Sequence, residues 1–191
     1  MQEPETNSVE TEHRQEPVQE ICGKYRPEKE YTWRQEGLDN LPYLVMTVLG
    51  AAIVALAAEN PVWKWRGAAG YVVYSVAGAF CIFLLVCPYC HLYDTRRCPC
   101  GYGHIAARLR PRKDMRLFRQ KFKQHIPIIV PLWFIPLLAG GLGLYREFRW
   151  LLAGFIGGFM VVSFVILPLV AKIYGCGHCS QKENCPWMKT R

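Results

Sequence analysis

The sequence predicts an all-α integral membrane protein with four transmembrane helices, a cytosolic cysteine-rich loop and a cysteine-rich tail. Three observations support this prediction: four apolar blocks without a charged residue, an uneven distribution of Lys and Arg between the links, and two clusters of cysteines. A helix needs roughly 20 apolar residues, with a range of about 17–25, to cross the hydrocarbon core. Backbone polar groups in lipid must pair within the segment, so each block is expected to be helical. The predicted transmembrane helices are residues 41–58, 67–87, 126–144 and 151–171.

The segment before the first block, residues 1–40, is polar. It contains ten acidic and five basic side chains. Because it lacks an apolar stretch, it is not expected to be a cleavable signal peptide. It also has too little apolar surface to offset the entropy of ordering the chain. We therefore expect this segment to be largely disordered.

The four apolar blocks contain no His, Asp, Glu, Lys or Arg. Intramembrane ionisable groups usually mark ion paths, proton relays or haem ligands, so their absence disfavours a pump, a proton channel and a bis-histidine cytochrome. Gly154 and Gly158 form a GxxxG pair, for which packing within the chain is expected ahead of self-association. Proline residues should bend the third and fourth helices: these are Pro127, Pro131, Pro136 and Pro168.

The distribution of Lys and Arg predicts the orientation of the chain. The links between the first and second helices and between the third and fourth hold four of these residues, and the other segments hold nineteen. Cytoplasmic segments carry the excess of Lys and Arg. The N-terminus, the middle link (88–125) and the tail (172–191) are therefore predicted to be cytoplasmic. The membrane would be the plasma membrane, or the inner membrane if the source is prokaryotic. Trp63, Trp65 and Trp150 are expected at the opposite interface.

The stretch 104–125 in the middle link is strongly basic, with eight Lys or Arg residues. Met115, Phe118 and Phe122 lie at positions i, i+3 and i+7, on one helical face, and Pro111 should divide the stretch into two pieces. This pattern predicts an interfacial amphipathic helix that contacts the lipid bilayer through anionic headgroups. Nucleic-acid binding is the alternative for a basic run. It is disfavoured because both ends of the stretch are tethered to membrane helices.

Cysteines provide the predicted site. One cluster begins where the second helix ends, and the other follows the fourth helix, so both should emerge on the same membrane face. C-x2-C spacing lets two thiolates chelate one ion while backbone amides point at the sulfur atoms. We predict one tetrathiolate site from the two C-x2-C pairs, and the other ligands would build a second site or share the first. The predicted metal ligands are Cys87, Cys90, Cys98, Cys100, Cys176, Cys179, Cys185, His91 and His178, with His104 nearby.

Four chemistries are open for these residues. Structural zinc is favoured because it suits tetrahedral sulfur ligation in a reducing compartment. An iron–sulfur cluster is suggested by Cys-Pro at Cys87, Cys98 and Cys185, although the spacing differs from that of bacterial ferredoxins. Thiol–disulfide chemistry is third, since Cys87-Pro-Tyr-Cys90 resembles the active-site tetrapeptide of glutaredoxins over those four residues. The run from Cys87 to His91 also fits the C-x-x-C-H pattern of covalent haem, which is attached on the non-cytoplasmic side.

No sequence motif specifies a reaction. The chain has no P-loop, no G-x-S-x-G, no H-E-x-x-H and no dinucleotide-binding glycine pattern. We predict a membrane anchor or assembly factor whose zinc or iron–sulfur centre locks the cytosolic face and docks a soluble protein partner. The alternative is a redox membrane subunit that transfers electrons through an iron–sulfur or thiol/disulfide centre. Whether the protein is an enzyme is not decided by its sequence.

Overall fold

The structure, a computed structural model, describes residues 30–175. The disorder predicted for residues 1–29 and the tail ligands Cys176, His178, Cys179 and Cys185 lie outside the described residues. Within 30–175 the chain is helical and contains no strand. Its helices are α1 (Trp33–Ala57), α2 (Pro61–Leu85), α3 (Tyr102–Leu109), α4 (Phe118–His125), α5 (Pro131–Arg146), α6 (Trp150–Val161) and α7 (Leu167–Val170).

Helix α1 begins well before the first apolar block. Its first residue is Trp33, and the side chain of Gln35 accepts a hydrogen bond from the backbone N–H of Thr32 at 3.0 Å. The polar turns that precede residue 41 are therefore helical in the structure. They are ordered because Glu36 and Asn40 pack against the cysteine-rich part of the chain instead of water, as described below.

Helix α1 is the central helix of the bundle, and α2, α5 and α6 all pack against it. The fully buried core consists of apolar side chains from these helices. Close packing in a protein interior makes such a core sensitive to added volume. At Gly50 of α1, a Cβ atom would lie 2.5 Å from the hydroxyl oxygen of Tyr71 on α2. The core members are Met46, Ile53, Tyr71, Leu132, Leu152 and Phe159.

Buried hydroxyl groups add polar contacts between the helices. The Tyr43 hydroxyl donates to the backbone carbonyl of Ser75 at 3.0 Å, and the Thr47 and Ser75 hydroxyl oxygens are 2.9 Å apart. The Tyr71 hydroxyl donates to the carbonyl of Leu132 at 2.9 Å, which joins α2 to α5. Hydrogen bonds of this kind hold helices together where the surroundings are apolar.

The third apolar block and the basic stretch form one interrupted run. Helices α3 and α4 are separated by residues 110–117, so the predicted break at Pro111 is confirmed. A short 3₁₀ turn, Ile126–Ile128, contains Pro127 and separates α4 from α5, which begins at Pro131. Proline has no N–H to donate and fits the first turn of a helix, which explains both positions.

The last apolar block runs antiparallel to α1 as α6, a π-helical segment (Val162–Ile166), α7 and a second π-helical segment (Ala171–Gly175). Arg149 at its start donates to the carbonyl of Leu56, near the end of α1. At Gly154 and Gly158 a Cβ atom would meet no atom of residues 30–175 within 4 Å. This corrects the expectation that the GxxxG pair packs inside the chain: both glycines face away from the bundle.

Four runs in the structure are long and apolar enough to cross a membrane: Trp33–Ala57, Pro61–Tyr89, Met115–Arg146 and Trp150–Ile173. Large apolar side chains cover the outside of the bundle, for example Val73 on α2 and Leu138 on α5, which are 67% and 68% exposed. Such exposure is costly in water over a whole surface and is what a lipid-facing surface requires. Within residues 30–175, the predicted all-helical fold and the four candidate membrane-spanning helices are confirmed.

Candidate functional site

The first C-x2-C pair lies in a tight turn at the end of α2. Cys87–Tyr89 forms one 3₁₀ turn, closed by a hydrogen bond from the backbone N–H of Cys90 to the carbonyl of Cys87 at 3.0 Å. Cys87, Pro88 and Tyr89 are buried, and Cys90 is half-buried. This turn opens the segment that we call the cysteine loop, residues 86–101. It places Cys87 and Cys90 at the two ends of a single backbone turn.

The C-x-C pair lies in a second turn at the other end of the cysteine loop. The backbone N–H of Gly101 donates to the carbonyl of Cys98 at 3.0 Å, and α3 starts at the next residue, Tyr102. Gly101 has φ of +73°, in the left-handed region that only glycine adopts without cost. This conformation turns the following backbone amides back toward the sulfur atom of Cys98.

The environment of the Cys98 sulfur atom favours its charged form. Cys100 is its largest stabilising partner, and the backbone N–H groups of Gly103, Tyr102 and Cys100 also favour the thiolate. Hydrogen bonds to the charged form of a group favour that form. The Cys100 hydrogen bond and these amides outweigh the effect of burial and lower the pKa of the Cys98 thiol to about 7. Cys98 is therefore substantially a thiolate near neutral pH, which is the state that binds metals and reacts as a nucleophile.

Cys100 keeps its proton. Its single thiol proton lies between two acceptors, the sulfur atom of Cys98 and Oδ2 of Asp39, which is 2.9 Å from the Cys100 sulfur atom. The hydrogen bond to Cys98, burial and the negative charges of Cys98 and Asp39 raise the pKa of Cys100 well above its ordinary range. The two sulfur atoms therefore form an unequal pair, a thiolate at Cys98 and a thiol at Cys100.

Three polar residues of α1 contact this turn. They are not among the residues that the sequence predicted for the site. The Asn40 amide donates to the carbonyl of Cys100 at 3.0 Å and accepts from the Tyr102 hydroxyl at 2.7 Å. The buried carboxylate of Glu36 lies beside Gly101, where a Cβ atom would be 2.8 Å from Oε2. Asp39 is the third residue, through its bond to Cys100.

Their spacing is the pattern that could have identified them. Residues 36, 39 and 40 are at i, i+3 and i+4 and therefore on one helical face. This face runs directly into the first apolar block. A negative charge at the N-terminal end of a helix is favourable, and Glu36 places one at the start of α3, with Oε1 at 3.8 Å from Nδ1 of His104. The first membrane helix thus fixes where the cysteine loop sits.

The structure brings the predicted loop ligands together only in part. Cys98 contacts Cys100, and electrostatic interactions couple Cys87 with Cys90 and Cys98. No disulfide joins any two of the five cysteines within residues 30–175. In that same part of the chain, no three His, Cys, Asp or Glu side chains converge as ligands of one metal ion. His91 is therefore not grouped with two cysteines around a common ion position.

Two buried polar atoms beside the cysteine loop lack a hydrogen-bond partner among the described residues: Oδ1 of Asp39 and Nδ1 of His104. Buried polar atoms in native proteins are nearly always paired, and the exceptions call for a ligand, water or ion. Both atoms can accept a hydrogen bond or bind a cation. The donor set around the loop, with a thiolate, thiols, a carboxylate and an imidazole, suits zinc or iron coordination.

No known protein family, characterised protein or solved structure matches this chain. The geometry of the cysteine loop and the four membrane-spanning candidates are therefore the observations that bear on its function.

Proposed function

We propose that this protein is a polytopic membrane protein with a cysteine-ligated metal centre, preferably structural zinc, on the cytosolic face. The observation that supports it best is the turn at Cys98. A sulfur atom whose pKa is lowered by Cys100 and by three backbone amides is prepared for a metal ion, because thiolates are the ligating form and metal binding must displace the proton.

The ligand set of the proposal combines the cysteine loop with the tail. Cys87, Cys90, Cys98 and Cys100 supply thiols from the loop, and Cys176, Cys179 and Cys185 supply them from the tail, with His91 and His178 as further ligands. The last helical segment ends at Gly175, after a run antiparallel to α1, and Ala171–Gly175 contacts α1. This supports an approach of the tail to the end of the bundle where α1 contacts the cysteine loop.

The metal would bind ligands from the cysteine loop and from the tail. It would thereby link α2, which precedes the loop, to the last helical segment, which precedes the tail. A bound zinc ion contributes folding free energy directly, because its ligands are not held together in the unfolded chain. The protein would act as a membrane anchor or assembly factor that presents this rigid face to a soluble protein partner. Basic residues of 104–125 would contact anionic lipid headgroups of the same leaflet. The excess of Lys and Arg in these segments, nineteen against four, supports cytosolic N- and C-termini.

Elemental analysis of protein purified without oxygen tests the metal centre. We expect stoichiometric zinc and no visible absorption in the wild type. Cys98→Ser should lose most of the metal, because it removes the thiolate, whereas Cys81→Ser should retain it. Cys81 is a suitable control since it lies within the apolar part of α2 and belongs to neither cluster of the sequence. Metal content that falls equally in both variants, or wild-type protein without metal, would reject the proposal.

A redox membrane subunit is the second candidate, and the contact between Cys98 and Cys100 favours it. Two thiols in contact can form a disulfide by giving two electrons and two protons to an acceptor disulfide. A brown protein with broad visible absorption would indicate an iron–sulfur centre. Colourless, metal-free protein in which a thiol-alkylation assay detects a reversible Cys98–Cys100 disulfide would indicate thiol–disulfide exchange.

A further inference from the structure

The basic stretch presents a surface of unpaired positive charge, which we call the basic face. Its side chains are exposed and, among the described residues, none of them forms an ion pair. Asp114 is the one exposed acidic residue within the stretch. The basic face consists of Arg108, Arg110, Arg112, Lys113, Arg116, Arg119 and Lys123.

The basic face is anchored at the end of the bundle where the cysteine loop lies. The backbone N–H of Lys113 donates to the carbonyl of Pro88 at 2.9 Å, and α4 contacts α2. The chain that precedes α1 arrives at the same place, because the backbone N–H of Tyr31 donates to the carbonyl of Arg96 at 2.9 Å. Residues upstream of Tyr31 therefore start next to the segment that leads into the basic face.

The start of the sequence has the opposite charge. Residues 1–20, which we call the acidic arm, contain six Glu and a single Arg, Arg14, and hence a formal charge of −5. Seven basic residues and Asp114 give the stretch of the basic face a formal charge of +6 from its exposed groups. Ten residues, 21–30, connect the arm to the described chain. A stretch of this length spans up to roughly 36 Å when extended, several times the roughly 8–10 Å between packed helices.

From this complementarity we propose that the acidic arm docks on the basic face and competes there with anionic lipid headgroups. The arm is covalently tethered, so its effective concentration at the face is in the millimolar range typical of short links. Carboxylates of the arm and anionic headgroups attract the basic face through the same screened electrostatic interaction, so the arm and the headgroups are comparable ligands. The competition by lipid headgroups rests on the proposed function, in which the basic residues contact anionic lipid. Docking of the acidic arm on the basic face does not depend on that lipid contact.

Acylation of lysines measured by mass spectrometry tests the docking. The probes are Lys113 and Lys123 of the basic face, and Lys64 in the first turn of α2 is the internal reference. The arm variant replaces all six Glu residues of residues 1–20 with Gln, and the control variant replaces Glu28 and Glu30. In nanodiscs of neutral phosphatidylcholine, the wild type and the control variant should be acylated several-fold more slowly at Lys113 and Lys123 than the arm variant. Lys64 should be unaffected.

Nanodiscs that contain anionic lipid distinguish docking of the acidic arm from binding of lipid headgroups. With added phosphatidylserine, the arm variant should become protected at Lys113 and Lys123, whereas the wild type, whose arm already protects these lysines, should change little. Equal acylation of the wild type and the arm variant in neutral nanodiscs would overturn the docking. Lack of protection by phosphatidylserine in every variant would instead overturn the lipid contact, whatever the arm does.

Zero-length carbodiimide cross-linking identifies the occupant. We expect links from Glu residues of the arm to Lys113 or Lys123, which should disappear at about 0.5 M NaCl because salt screens exposed charges within a few ångströms. A mixture of isotope-labelled and unlabelled protein shows whether the links join one chain or two. Links within one chain support the proposal, and links between two chains only would replace it with self-association.

Discussion

At the scale of single residues, Cys98 and Cys100 are chemically different although only Pro99 separates them. Cys98 receives backbone amides, whereas Cys100 faces the carboxylate of Asp39. The sequence predicted that both cysteines belong to a site, but it could not distinguish them. Their difference arises from the left-handed turn at Gly101 and from α1, which is about 60 residues away in sequence.

This difference predicts a pH-dependent reactivity. In metal-stripped protein, the rate at which iodoacetamide alkylates Cys98 should rise with pH and reach half its maximum at about pH 7, because the thiolate is the reactive form. Cys100 should react slowly throughout the neutral range, since its pKa is raised. Peptide mass spectrometry after timed quenching measures both rates. Parallel curves with midpoints near those of ordinary thiols would contradict the assignment.

At the scale of helices, α1 contacts both the apolar core of the bundle and the cysteine loop. Its apolar turns form the core with α2, α5 and α6, and its polar first turns hold the cysteine loop. The apolar turns of α1 were predictable because the thickness of the bilayer sets how many apolar residues a membrane-spanning helix needs. The polar half was not, because residues 33–40 have the composition of a solvated segment. They are ordered only by partners from the distant turn at Cys100 and Tyr102.

The contact between α1 and α2 predicts the effect of glycine substitutions. Gly50→Ala should lower the free energy of unfolding by about 1–3 kcal/mol, because overpacking shifts buried neighbours. Here the neighbour is the ring of Tyr71, which is buried and hydrogen-bonded to Leu132. Thermal unfolding in detergent, followed by circular dichroism, is the measurement.

Gly37→Ala is the matched control, in the same helix but with no atom of the described part of the chain within 4 Å of the added Cβ atom. Alanine favours helix over glycine by up to about 1 kcal/mol, so this variant should be as stable as the wild type or slightly more stable. A destabilisation of Gly37→Ala as large as that of Gly50→Ala would show that tight packing against Tyr71 is not the cause.

At the scale of the whole molecule, the number of apolar helices fixes which segments share a face. Alternation of the four membrane-spanning candidates puts the cysteine loop and the start of α1 at one end of the bundle, and the links 58–60 and 147–149 at the other. Trp63, Trp65 and Trp150 are all exposed near those links, as tryptophans at a membrane interface would be. The sequence predicted this arrangement because alternation of helices requires it.

Sidedness can be tested with single added cysteines. Glu147→Cys lies in the link between α5 and α6, and Lys123→Cys lies on the basic face; both positions are exposed. We expect a membrane-impermeant maleimide to add one label to the Glu147→Cys protein in intact cells. It should label Lys123→Cys only after the membrane is permeabilised. The opposite pattern would invert the proposed orientation and place the cysteines outside the cytosol.

The bonds between α1 and the turn at Cys100 also constrain the order of events during synthesis. Asn40 and Asp39 emerge from the ribosome some 60 residues before Cys100 and Tyr102, their partners. While the first hairpin of helices is being inserted, these polar groups have only water and headgroups to bind. These groups can meet their partners only after the cysteine loop, which follows α2 in the chain, has been synthesised. We therefore expect the polar first turns of α1 to become protected from solvent later than its apolar turns enter the bilayer.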